Sequence, residues 1–119
     1  MGINLDNVPE ELRKKIIDLQ NKQVQLQNFR NSHEYLESQN RDTELSIQEL
    51  EKATSDATVF KSIGGILVKS TRDKLLDEKK SLKVSIEMRL KTIKQKEERS
   101  IQELEQIRKS IQSDFQKNQ

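Results

Sequence analysis

Two long stretches of this chain contain neither glycine nor proline, and both place apolar residues at alternating spacings of four and three. In the first, Leu12, Ile16, Leu19, Gln23 and Leu26 trace one side of a helix. After a slip in phase, Phe29, His33, Leu36, Asn40, Thr43, Ile47 and Leu50 resume it. In the second, Leu75, Lys79, Leu82, Ile86, Arg89 and Ile93 keep one phase, which drifts near Glu97 before Ile101, Leu104, Arg108, Ile111 and Phe115 form another run. The pattern predicts helix 1 over about 9–53 and helix 2 over about 72–118, each arm roughly 65 Å long at ~1.5 Å per residue. Asn7 is a candidate cap for the first arm, Pro9 suits a first turn, and Glu10 and Glu11 complement the helix dipole. Thr71 is a candidate cap for the second. A stripe two residues wide cannot stand alone in water, so each arm requires a partner helix, and the nearest is the other arm.

Between the arms the period shortens from helical to strand-like, predicting a β-hairpin over about 57–71. TVFKSI and ILVKS are β-branched runs around Gly64 and Gly65, and the favoured two-residue turns need the positive φ that glycine supplies without strain. With those glycines as the turn, Val59, Ile63, Ile66 and Val68 share one face with Lys61 and Ser70. Phe60 and Leu67 occupy the other face beside Ser62 and Lys69. Both faces are partly apolar and both edges open, which invites pairing with other chains. The expected fold class is mainly α: a long antiparallel two-helix coiled coil joined by a single β-hairpin that assembles into an intersubunit β-barrel. The reversal brings Ile3, Leu5, Val8 and Leu12 together with Ile107, Ile111 and Phe115 at an open tip, where an apolar patch survives to bind something apolar.

Composition narrows the function. Of 119 residues, 31% are hydrophobic and 35% charged, with four aromatic side chains, which leaves little for a thick globular core. Without cysteine there is no disulfide, thiolate metal site or thiol nucleophile, and the single histidine, His33, lies at a seam position with no catalytic partner. No nucleophile elbow, HExxH or phosphate-binding loop is present. No enzyme activity, cofactor or metal is expected. No apolar stretch reaches the ~20 residues that span a bilayer, so no membrane partner is expected, and the N-terminus lacks a signal-peptide pattern. Net charge is +2, distributed as −3 over 1–54, +2 over 55–72 and +3 over 73–119. The basic cluster Arg89, Lys91, Lys94, Lys96 and Arg99 is interleaved with Glu97 and Glu98 and lacks stacking aromatics, so it reads as a solvated face rather than a nucleic-acid site.

The segment TVFKSIGGILVKSTRDK, residues 58–74, set between two heptad arms, resembles the β class of prefoldin subunits, whose single hairpin separates it from the α class. The resemblance covers essentially the whole chain as one prefoldin-like domain. It implies a cytoplasmic hexamer of two α and four β subunits, so the expected partner is a prefoldin α subunit. The hairpin residues Val59, Phe60, Ile63, Gly64, Gly65, Ile66, Leu67 and Val68 would form the double barrel. It further implies ATP-independent capture of unfolded polypeptide clients at the coiled-coil tips and delivery to a group II chaperonin. A structural coiled-coil scaffold is the rival expectation, and a nucleic-acid-binding scaffold a weaker one.

Overall fold

The computed structural model describes residues 8–117. The order of elements is α1 (Glu10–Lys52), β1 (Thr58–Ile63), β2 (Ile66–Thr71) and α2 (Arg72–Lys117). Each boundary has a chemical cause. The Pro9 carbonyl accepts the first helical bond of α1 from the Arg13 amide at 2.9 Å, consistent with a ring that has no N–H to lose. Asn7 lies outside the described residues. The Thr71 hydroxyl accepts from the Lys74 amide at 3.2 Å, capping α2 as expected. At the end of α1, the Ala53 amide donates to the Leu50 carbonyl at 3.2 Å and the Ala57 amide to Thr54 at 3.0 Å, turning the chain into β1.

The two strands pair antiparallel with Thr58 opposite Thr71 and Ile63 opposite Ile66. Gly64 and Gly65 have φ of 53° and 83°, the values of a type I′ turn. The register therefore puts Val59, Lys61, Ile63, Ile66, Val68 and Ser70 on one face, and Phe60, Ser62, Leu67 and Lys69 on the other, as the two-glycine turn predicts.

The fold packs as two compact units, one comprising the segments up to Ser32 and from Ile93 onward, the other His33–Thr92. In the first, Leu12, Ile16, Leu26, Leu104 and Ile93 are buried. In the second, Ile47, Leu50, Leu75 and Leu76 form a buried cluster on which Val59 of the hairpin packs, and Ile86 is the most enclosed side chain, at 1% exposure.

The expected slip in α1 is absent. Taking Leu12 as heptad position a, the a and d positions run Leu12, Lys15, Leu19, Lys22, Leu26, Phe29, His33, Leu36, Asn40, Thr43, Ile47 and Leu50, and every one is buried or half-buried. Gln23, expected at the seam, is exposed, because Lys22 takes its place. The drift in α2 is likewise absent. Its seam runs Leu76, Lys79, Lys83, Ile86, Leu90, Ile93, Glu97, Ser100, Leu104, Ile107, Ile111 and Asp114 in one unbroken phase. Arg89, Arg108, Leu82 and Ile101, expected in the seam, are exposed. The physical reason is that long charged side chains occupy seam positions by laying their methylene stems along the groove and pairing at its edge. The Lys15 amine meets Asp114 at 2.6 Å, Lys22 meets Glu103 at 2.9 Å and Lys83 meets Glu44 at 3.3 Å.

Candidate functional site

The hairpin is the first candidate. Val59 anchors its base to the helices, and one residue further up the same face the Lys61 amine donates to the Glu78 carboxylate at 2.8 Å. Lys61, with Lys74 and Lys79 nearby, holds the Glu78 carboxyl below the ordinary carboxylate range. Toward the turn the sheet is open among the described residues. Phe60, Ile63, Ile66, Leu67 and Val68 are 44–70% exposed. A two-residue loop closes on a hydrogen-bonded pair, so Thr58, Phe60 and Ser62 on β1, with Leu67, Lys69 and Thr71 on β2, turn their backbone groups outward. The element thus offers apolar side chains and unpaired backbone donors and acceptors together, the requirements for strand addition.

Beneath the hairpin, the Arg72 guanidinium reaches back to α1. Its Nε donates to the Leu50 carbonyl at 2.7 Å, and its terminal nitrogens donate to the Glu51 carbonyl at 3.3 Å and to Asp73 at 2.9 Å. A cation therefore closes the negative end of α1 from the first residue of α2. Arg72 escapes a reading by periodicity because its target lies 22 residues upstream; only its position directly after a hairpin hints at it.

The second candidate is the end of the first unit where α1 begins and α2 ends. Of the residues expected there, Ile3 and Leu5 lie outside the described residues. Leu12 is 2% exposed and packs in the seam. Val8, Ile107 and Ile111 are half-buried, and the Phe115 ring is 44% exposed. A shallow notch bounded by Pro9, Glu11, Leu12, Asp114 and Lys117 opens at the same end. The structure thus brings Leu12, Ile107, Ile111 and Phe115 into one unit, with Phe115 the most exposed of the four.

His33 bonds Glu37, one turn away on its own helix, at 3.2 Å. Among the described residues no group of three or more histidine, aspartate or glutamate side chains is arranged to hold a metal ion. Within that range no helix is long and apolar enough to cross a membrane.

A profile of the prefoldin subunit family matches residues 13–118. The chain belongs to the prefoldin subunit family. Its relatives include the prefoldin subunit beta of Pyrococcus furiosus, 26% identical with 92% of this chain and 93% of that one covered. That of Pyrobaculum calidifontis is 31% identical with 92% and 88% covered. The crystal structure of the prefoldin beta subunit from Thermococcus strain KS-1 superposes with a TM-score of 0.80 at 27% identity, covering 90% of this chain and 94% of that one. The likeness is to the β class, as the single hairpin requires. Prefoldin is a chaperone family rather than an enzyme family, and the function of this chain is chaperone-associated.

Proposed function

We propose that this prefoldin subunit is part of an ATP-independent holdase, a cytoplasmic hexamer of two α and four β chains. The hairpin carries the reading: two short strands that leave most of their apolar side chains and both edges open are marginal in water and gain by pairing with neighbours. Assembly through Val59, Phe60, Ile63, Ile66, Leu67 and Val68, turned at Gly64 and Gly65, satisfies those edges in an intersubunit barrel. The open end of each helix pair then supplies a weak apolar contact from Val8, Ile107, Ile111 and Phe115 over the Leu12 floor, together with Ile3 and Leu5. Several such contacts on one frame hold a non-native polypeptide by avidity, and transfer to a group II chaperonin follows from contacts that are individually weak.

The test is light scattering of a denatured client, without nucleotide, in the presence of this chain assembled with an α subunit. Suppression of aggregation is expected. A complex lacking residues 1–11 and 108–119 should keep its subunit count and lose the protection. Equal protection by the truncated complex moves the capture surface elsewhere, and no protection by either form leaves the structural scaffold as the better reading.

A further inference from the structure

The first unit has two unlike sides. The heptad phase fixed above puts Arg30, Gln23 and Ile16 of α1, and Lys94, Ile101, Arg108 and Phe115 of α2, at position e, along one flank of the seam. This flank has no acidic residue. Position g, along the opposite flank, holds Glu11, Asp18 and Glu103 beside Lys96 and Lys117. Of the two flanks this one carries the exposed large apolar side chains, Ile101 at 48% and Phe115 at 44%, with Ile16 buried from the same side, while the exposed Ile17 and Val24 lie at position f on the back of α1. Ile101 and Phe115 are two heptads apart, about 21 Å along α2. Exposed cations alternate with them, Lys94 before Ile101 and Arg108 between the two. Arg30, Lys94 and Arg108 form no ion pair among the described residues, whereas Lys22 on the other side is engaged by Glu103. Glu98 and Glu105 stand behind the stripe at position b, with Glu105 turned to Lys109 at 4.0 Å.

Resting on the holdase reading, we infer that this flank is a lateral client track selective for non-native segments in which acidic residues neighbour apolar ones. The Lys94, Ile101, Arg108 and Phe115 side chains alternate cation and hydrocarbon along one line. An acidic, leucine-bearing segment meets both chemistries at once, while a basic segment of equal hydrophobicity meets unpaired like charge. The unit as a whole, with 11 basic and 8 acidic residues over 8–32 and 93–117, adds to the attraction. Ile101 thereby becomes a contact residue well away from the end of the helix pair, and clients are sorted by charge as well as by hydrophobicity.

The experiment uses the assembled complex and two fluorescent peptides with identical leucine spacing, one with glutamates between the leucines and one with lysines. The glutamate peptide should bind roughly fivefold tighter at low salt, with the gap closing in 0.5 M salt. Lys94→Glu with Arg108→Glu should invert the preference. Ile101→Ser should weaken both peptides alike, with the mass of the complex unchanged. Equal affinities, or a preference that survives charge reversal, overturn the inference. A change of mass on Ile101→Ser also overturns it, by making the flank a contact between subunits. Aggregation suppression in the same preparation separates the two levels: protection without peptide preference sinks only the track, while absence of both sinks the holdase reading with it.

Discussion

Arg72 joins three parts of the molecule through one guanidinium, closing the last carbonyls of α1 while opening α2 directly after β2. Those carbonyls have no partner within their own helix and the donor is charged, so truncation removes two charge-assisted bonds and leaves the Leu50 carbonyl with the Ala53 amide alone. Arg72→Ala should cost about 1–3 kcal/mol of unfolding free energy. Asp73→Asn, which touches only the exposed side of the same guanidinium, should change much less, and urea denaturation of the two variants side by side checks the difference. Gly64 and Gly65 pose the opposite case. An added Cβ at either position would meet nothing within 4 Å, so any penalty comes from the backbone alone. With φ of 53° and 83°, asparagine should be accepted at either site with small effect, whereas valine should cost about 1–2 kcal/mol per site. Thermal melts of Gly65→Asn against Gly65→Val separate strain from crowding, since crowding would penalise both.

Among elements, the paired helices owe their register to charges as much as to hydrocarbon. Lys22 and Glu103 meet at 2.9 Å; the hydrogen bond and opposite charge raise the lysine and hold the glutamate below the ordinary carboxylate range. A depressed carboxylate contributes stability above its unfolded pKa and loses it as pH falls through the folded one. A raised lysine contributes below its unfolded pKa and loses it as pH rises through the folded one. The pair therefore acts between about pH 5 and pH 10 and fades outside that window. A double-mutant cycle of Lys22→Met and Glu103→Gln should show coupling at pH 7 that fades as acid protonates the depressed Glu103 carboxylate. Coupling that persists in acid would mean the stems, not the charges, do the pairing. The same pairs explain where the sequence is hard to read. The hairpin was legible to the residue because a two-residue turn leaves no freedom of register, and Ile63 must face Ile66 once Gly64 and Gly65 form the loop. The seams were legible as helices but not in phase. Scoring apolar residues alone skips Lys15, Lys22 and Lys83, and the nearest apolar or neutral side chains, Ile16, Gln23 and Leu82, then imitate slips that the helices do not have. Ile16 compounds the error because it is genuinely buried, one position beside the seam. The end of the helix pair was legible in membership but not in exposure, since nothing in the spacing of Leu12 and Phe115 distinguishes a floor from a surface.

At the scale of the whole molecule, the helices and the hairpin carry separable tasks. Each helical unit closes its own seam with buried leucine and isoleucine and with ion pairs, so helical structure does not require the hairpin's exposed faces to be covered. The hairpin, by contrast, meets its own helices through Val59 and Lys61. What remains, chiefly Phe60 on one face and Ile63, Ile66 and Val68 on the other, is apolar surface available to neighbouring chains at ~25 cal/mol per Å² buried, reinforced by outward backbone groups on both strands. Placing a charge on each face, as Phe60→Glu with Ile66→Lys, which faces Ile63 rather than Lys61, should dissociate the assembly while circular dichroism retains most of its helical signal. The variant leaves Val59, the Lys61–Glu78 pair and the glycine turn in place, so the hairpin itself keeps its anchor and its register. Mass in solution is the deciding measurement. A complex of unchanged mass would show that contacts between helices, not the strand edges, hold the subunits together. Loss of mass together with loss of helix would show that the subunit's fold depends on its neighbours, contrary to the self-sufficient packing of Ile47, Leu50, Leu75 and Leu76.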